Sequence, residues 1–398
     1  VCGDALTPTA TDLLRTLQVA TARRGSPPPA ALVGDWWDAD AVIAPSIEVR
    51  PGLAPPDRPD RFWLGYLGFP VRGVESALPT IAGGETDHLL VLKDGRWQHV
   101  SASGTGPPDW VREVLADAAT EVDDSTRGWS TRWEPPDPRP HLAAIEHCLE
   151  AISAGEIYQA CLCTRFTGTL TGSACGFFAD LVSRTRPAKS AFLQGDWGAV
   201  ASFSPETFLS RRGERVWSAP IKGTIAAGDD PTVLAASSKD IAENIMIVDL
   251  VRNDLGRVAC TGSVRVERLL EVVGAPGVWH LVSRVGAQLP PEIGNVALLD
   301  ATFPPASVTG TPKLRAMQLL ADWERDPRGV YCGAVGLAGP GGLLDLNVAI
   351  RTVEIAPDGS MALGVGGGIT ADSDPHREWQ ECLDKAASVV NARPSVLG

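Results

Sequence analysis

Apolar positions recur at helical spacing over 9–23, where Leu13, Leu14, Leu17 and Ala20 fall on one face. Stretches 41–49 and 89–92 read as strands, and Lys93-Asp94-Gly95-Arg96 is a hairpin turn between polar and apolar runs. Stretch 62–69 mixes aromatic residues and glycine, which suits a sheet packed closely against other backbone. A further helix is expected at 107–119, with Trp110, Val111, Val114 and Leu115 inward.

Four prolines within 134–140 predict a linker, because proline disfavours both helix and ladder. The expected division is an N-terminal lobe at 1–133, which contributes to the sheet sandwich, and a catalytic unit at 141–398. A helix is predicted at 141–154 and a strand at 157–170, followed by a helix at 174–184. Short strands then follow at 190–193, 198–203, 207–211 and 215–219. Tight turns between them give an antiparallel rhythm rather than βαβ alternation. The longest predicted helix is 232–251, closed by Arg252-Asn253-Asp254 with Gly256 as its cap. Strands are expected at 264–273, 278–285, 331–337 and 345–355, and 361–365 runs into Gly366-Gly367-Gly368. Helices are expected at 312–323 and 377–392.

The chain has 398 residues, 44% of them hydrophobic, which suffices for one large or two ordinary cores. A net charge of −13 argues against nucleic-acid and anionic-membrane surfaces. No run reaches the roughly 18 apolar residues of a membrane span, and no basic-then-apolar leader opens the chain. The eight cysteines, Cys2, Cys148, Cys161, Cys163, Cys175, Cys260, Cys332 and Cys382, include no C-x-x-C pair. They read as reduced thiols of a cytoplasmic protein.

Candidate chemistry concentrates in 204–224, where Glu206 precedes a short hairpin and Lys222 follows it. Meeting in one pocket, the two could serve as acid and nucleophile; meeting elsewhere, they are an ion pair. Asp240 and Glu243 share one helix face, and Glu378 and Glu381 another, with Lys385 one turn on. Facing each other, these carboxylates would suit a hard cation such as Mg2+; apart, they are solvated faces. Arg351 reads as a carboxylate clamp or a sheet-edge arginine, and Gly366–Gly368 as a backbone donor nest or a tight turn. His280 and Tyr331 are core aromatics or site residues.

Together the stretches SPETFL at Ser204, PIKGT at Pro220, DIAENIMIVDLVRNDLGRV at Asp240, VWHLVSRV at Val278 and SVTGTPKLRAMQLL at Ser307 resemble the chorismate-utilising enzymes. GVYCGAVG at Gly329, LNVAIRTVEI at Leu346, GVGGGITADSDP at Gly364 and EWQECLDKA at Glu378 complete the match over about 141–393. Lys222 within PIKGT resembles the aminodeoxychorismate synthase branch; anthranilate synthases carry alanine there. Gln159 stands where isochorismate and salicylate synthases carry a water-activating lysine.

The resemblance implies an α+β fold of two face-to-face antiparallel sheets flanked by helices, in four α/β/β/α layers. It implies Mg2+ held by Glu243 and Glu381 with Asp240 and Glu378 nearby, against the ring carboxylate of chorismate. Glu206 would be the acid and Lys222, with its pKa lowered, the nucleophile; His280 completes the catalytic group. Gly223, Thr224, Ser307, Tyr331, Arg351, Gly366, Gly367, Gly368 and Lys385 would bind substrate. The reaction implied is amination of chorismate at C4, with ammonia from a separate glutamine amidotransferase subunit. An anthranilate synthase component and an inactive binding homologue are the alternatives. Pro305-Ala306, Thr311 and 186–189 depart from the family pattern, the last where anthranilate synthases bind regulatory tryptophan.

Overall fold

Long β-branched and glycine-rich runs pair edge to edge in this chain, and a computed structural model describes them over residues 7–70, 76–117 and 128–394. Among the described residues they form one sheet of 11 strands and another of 10. Every pairing is antiparallel. The first sheet is centred on Gln159–Gly172, Ser360–Ile369, Thr352–Ile355, Gly198–Ser204 and Lys189–Gly195. The second runs from Ile221–Ala226 through Val278–Gln288, Thr207–Arg212, Leu343–Val348 and Phe62–Leu67 to Ile81–Thr86 and Arg50–Pro51.

The sheets pack face to face. Leu32, Trp36 and Val42 of the first meet Leu64, Tyr66 and Leu337 of the second in one apolar cluster. Full burial of such side chains stabilises by about 1.5–3 kcal/mol each. A buried ion pair also crosses this layer, from Lys189 Nζ to Asp345 Oδ1 at 2.9 Å. Helices cover the outer faces. Leu13, Leu14 and Leu17 of Ala10–Arg24, Phe177 and Phe178 of Ala174–Thr185, and Val389 of Pro375–Val390 pack on the first sheet. Ile247 and Val251 of Ser238–Gly256 pack with Val216, Val285 and Leu346 of the second. This is the two-sheet, helix-flanked α+β architecture that the sequence implied.

Several local expectations change. The proline-rich 134–140 is not all linker. Asp137 caps a helix, Pro138–Ser153, through Arg139 N, and prolines fit the first turn because its N–H groups have no intrahelical partner. Strands from both sides of this stretch share each sheet. The predicted 232–251 helix divides at Ser237, whose side chain caps Ser238–Gly256 through Asp240 N. That helix also runs through Gly256 rather than ending before it. The predicted 345–355 strand breaks at Arg351, which has φ +50°. There the chain passes from Leu343–Val348 in the second sheet to Thr352–Ile355 in the first. The end of the helix predicted at 107–119 and Cys2 lie outside the described residues. The other seven cysteines are free. No helix among the described residues is long and apolar enough to cross a membrane.

Candidate functional site

Two strand ends bring Glu206 and Lys222 together. Glu206 leads into Thr207–Arg212, whose first residue pairs with Ala219, so Glu206 lies beside the start of Ile221–Ala226. The ladder of that strand shifts register between Ile221 and Thr224, around Gly223 at φ +80°. Such a bulge re-aims the neighbouring side chain, here Lys222. A Cβ on Gly223 would stand 2.9 Å from the carboxyl carbon of Asp240, so only glycine fits there.

Glu206 is buried, and burial pushes its carboxyl up to about 7, although the Ser307 hydroxyl and Lys222 pull the other way. It can hold a proton near neutrality, as an acid must. Lys222 behaves contrary to expectation. Burial lowers its affinity for a proton, but Glu243, together with Cys161 and Glu206, outweighs that and holds the amine well above the ordinary lysine range. Lys222 Nζ donates to Glu243 Oε1 at 2.6 Å. The resting state is an ammonium on a buried carboxylate, not the neutral amine that the sequence reading required.

Glu243 is fixed by its helix. Asn244 next to it donates to Leu281 O and accepts from Ser283 Oγ, seating the helix on Val278–Gln288. On that strand His280 faces Thr224, Nδ1 to Oγ1 at 2.8 Å. Burial, helped by the positive charge of Arg351, pushes His280 down to about 4, so it is neutral at pH 7. Arg351 is itself half-buried, and its pKa is lowered by desolvation alone, with no carboxylate compensating. A desolvated guanidinium in that condition suits an anionic ligand.

The Gly366–Gly368 run is not a turn or a nest. It lies within Ser360–Ile369, paired with Cys163, Leu162 and Cys161. The neighbouring strand Thr352–Ile355 pairs only as far as Leu363, which leaves the other edge of the glycines open to side chains. Lys385 Nζ donates to Gly366 O at 2.8 Å. A Cβ on Gly368 would stand 1.9 Å from Glu243 Oε1 and 2.9 Å from Gln159 Nε2, and one on Gly367 would stand 3.3 Å from Glu378 Oε2. Missing side chains therefore let two carboxylate helices approach one strand. Tyr331 is buried against Gly364 on the same strand. It also lines a separate cavity of about 380 Å³ with His141, Cys163, Arg328 and Glu354; of the predicted site residues only Tyr331 reaches it.

The oxygen-only donor set of Glu243, Glu378, Glu381 and Asp240 fits a hard cation, and the glycines let Glu243 and Glu378 approach the strand. Gln159 Oε1 is a buried acceptor with no hydrogen-bond partner, in the same corner as Glu243. Among the described residues, however, no three of these groups already stand close enough to share an ion. Each glutamate is held by an amine instead: Glu243 by Lys222 and Glu378 by Lys239, both at 2.6 Å, and Glu381 by Lys385 at 2.7 Å.

Sequence reasoning missed Lys239, whose only signal is a lysine one residue before Asp240 in a first turn. It also missed Lys313, which donates to Asp254 Oδ2 at 2.5 Å and to the carbonyls of Thr302 and Pro304. That amine anchors the loop leading to Ser307. Arg328, buried beside Glu324, does the same from the other side through Val308 O and Cys161 O.

Comparison with known proteins fits this geometry. Residues 91–391 match the family described as chorismate binding enzyme. Aminodeoxychorismate synthase component 1 of Klebsiella aerogenes is 38% identical over 79% of this chain and 71% of its own. The protein of that name from Escherichia coli strain K12 is 42% identical over 61% of this chain, which spans 54% of that relative. In structure, anthranilate synthase component I from Streptococcus pneumoniae TIGR4 superposes with a TM-score of 0.72 at 26% identity, covering 86% of this chain and 83% of that one. A match that extends over most of the chain and includes both carboxylate helices, PIKGT and the glycine strand leads to one conclusion: the chain belongs to the chorismate binding enzyme family.

Proposed function

We propose that this chain aminates chorismate at C4, giving 4-amino-4-deoxychorismate, as its relatives named aminodeoxychorismate synthase component 1 suggest. The observation that carries the reading is Lys222 beside the protonatable Glu206, at the position where anthranilate synthases carry alanine. The "component 1" of those names supports a partner subunit, and ammonia is drawn from a separate glutamine amidotransferase.

In this reading Arg351 and Tyr331, with the open edge of Gly366–Gly368, grip the side-chain carboxylate of chorismate. Gly223, Thr224, Ser307 and Lys385 line the remainder, and neutral His280 orients Thr224. Mg2+ held by Glu243 and Glu381, with Asp240 and Glu378 close by, would neutralise the ring carboxylate. Lys222 must leave Glu243 and lose a proton before it can attack. Its nitrogen then bonds to C2, the C1=C2 and C5=C6 double bonds shift to C1=C6 and C4=C5, and the C4–O bond breaks. The departing oxygen takes the Glu206 proton and leaves as water. Ammonia bonds to C4, both double bonds return to C5=C6 and C1=C2, and the C2–N bond breaks to restore Lys222. The proton shed by the new C4 nitrogen returns to Glu206.

The test is incubation with chorismate, Mg2+ and ammonium, with and without a separate 4-amino-4-deoxychorismate lyase. Lyase-dependent p-aminobenzoate supports the reading; direct formation of anthranilate overturns it.

A further inference from the structure

Lys239 has no part in the reaction described above, yet it occupies one of that reaction's most enclosed carboxylates. Its Nζ stands 2.6 Å from Glu378 Oε1. Glu378 is 2% exposed and accepts a second hydrogen bond from Ser373 Oγ at 2.7 Å. Lys239 belongs to the helix Ser238–Gly256 and Glu378 to Pro375–Val390, so the bond ties together the two helices that carry the carboxylates. Its position is costly on its own helix. Lys239 lies in the first turn, where the exposed N–H groups and the helix dipole disfavour a cation. An acidic or neutral residue would serve that turn better, so its merit lies across the gap, at Glu378.

Lys222 and Lys385 also sit on carboxylates, but both act elsewhere as well: Lys222 is the nucleophile, and Lys385 holds Gly366 O. Lys239 alone of the three has no second role. Its side chain is 38% exposed, so it can swing into solvent, whereas Glu378 at 3% cannot follow. A divalent cation approaching Glu378 must therefore displace an ammonium that has somewhere to go.

We propose that Lys239 is a built-in counter-ion that competes with the divalent cation for Glu378 and holds the two carboxylate helices together until the cation enters. It is a positioning residue, acting through Glu378. The inference rests on the cation reading under Proposed function. It accords with the absence, among the described residues, of three gathered carboxylates: each of the three glutamates is neutralised by an amine. The exchange is of one cation for another on the same oxygens, with no bond made or broken within the chain.

The experiment is calorimetric titration of the chorismate-free chain with MgCl2, for wild type, Lys239→Gln and Lys239→Arg. Competition predicts that Lys239→Gln binds Mg2+ about tenfold more tightly, equivalent to about 1.4 kcal/mol. Lys239→Arg keeps the charge and can grip a carboxylate with two N–H groups, so it binds Mg2+ no more tightly than wild type. A purely structural tie would lower the melting temperature of Lys239→Gln and leave its Mg2+ affinity unchanged, and that result overturns the proposal. Equal tightening in both variants overturns it too. Product formation that persists in wild type after Mg2+ is removed defeats the cation reading and this inference together. Mg2+-dependent product formation with equal Mg2+ affinity in wild type and Lys239→Gln defeats this inference alone.

Discussion

Replacing Glu206 by Gln tests the proton inventory of the site without removing its shape. The Glu206 carboxyl titrates near 7 in the fold, against 4.5 for an ordinary glutamate, chiefly because it is buried. Between those values the folded chain keeps a proton that the unfolded chain has lost. Stability therefore falls as pH rises through that window, and the loss is complete above 7. A shift of that size corresponds to about 3 kcal/mol at pH 8 and to less than 1 kcal/mol at pH 5. Glutamine is neutral at both pH values. Relative to wild type, Glu206→Gln should be more stable at pH 8 than at pH 5 by about 2–3 kcal/mol. Urea unfolding at the two pH values measures it. Glu354 is pushed to about 7 by burial as well, so the comparison must be variant against wild type rather than the slope of wild type alone. The same substitution removes the acid, so product formation should fall sharply while stability rises. If the difference between variant and wild type is the same at pH 5 and pH 8, Glu206 is an ordinary ionised carboxylate and the acid assignment fails.

Three further outcomes follow from the geometry. The Ser307 hydroxyl favours the ionised form of Glu206, so Ser307→Ala should raise the Glu206 pKa and move the alkaline limb of the pH–rate profile to higher pH. Gly368→Ala places a methyl group 1.9 Å from Glu243 Oε1, so the carboxylate must move by about 1 Å to clear it, and product formation should fall by about 100-fold, read in the same assay. Lys313→Met leaves Asp254 buried beside the Ser307 loop without its partner, and urea unfolding should show a loss of about 3–5 kcal/mol.

Strand alternation made the antiparallel rhythm legible, while the two-sheet architecture and the gathering of Glu206, Lys222, Glu243 and the glycine strand were implied by the family resemblance of the motifs in order. What escaped depended on contacts between distant segments. The prolines of 134–140 read as a breaker because helix N-termini and linkers favour the same residue, and only the Asp137 cap separates the two. Gly366–Gly368 read as a donor nest or a tight turn because glycine signals those as well as close approach; the Glu243 and Glu378 side chains that need the space lie over a hundred positions and about ten positions away along the chain. Lys222 was expected to be easily deprotonated, since its burial was foreseeable. Its 2.6 Å contact with Glu243, which reverses the sign, was not. Arg351 read as part of a strand because its neighbours are apolar. Its positive φ marks a crossover between sheets, which local pattern does not encode.

The proposed chemistry turns on covalent attachment of Lys222 to the substrate. Attachment is read from the intact mass of the chain after a rapid quench with chorismate and Mg2+ in the absence of ammonium. The expected gain equals chorismate less one water, mapped by peptide digestion to Lys222, discharged by added ammonium and absent from Lys222→Ala. Wild-type chain that forms 4-amino-4-deoxychorismate at full rate with no such adduct, together with a Lys222→Ala variant of undiminished activity, would refute covalent attachment.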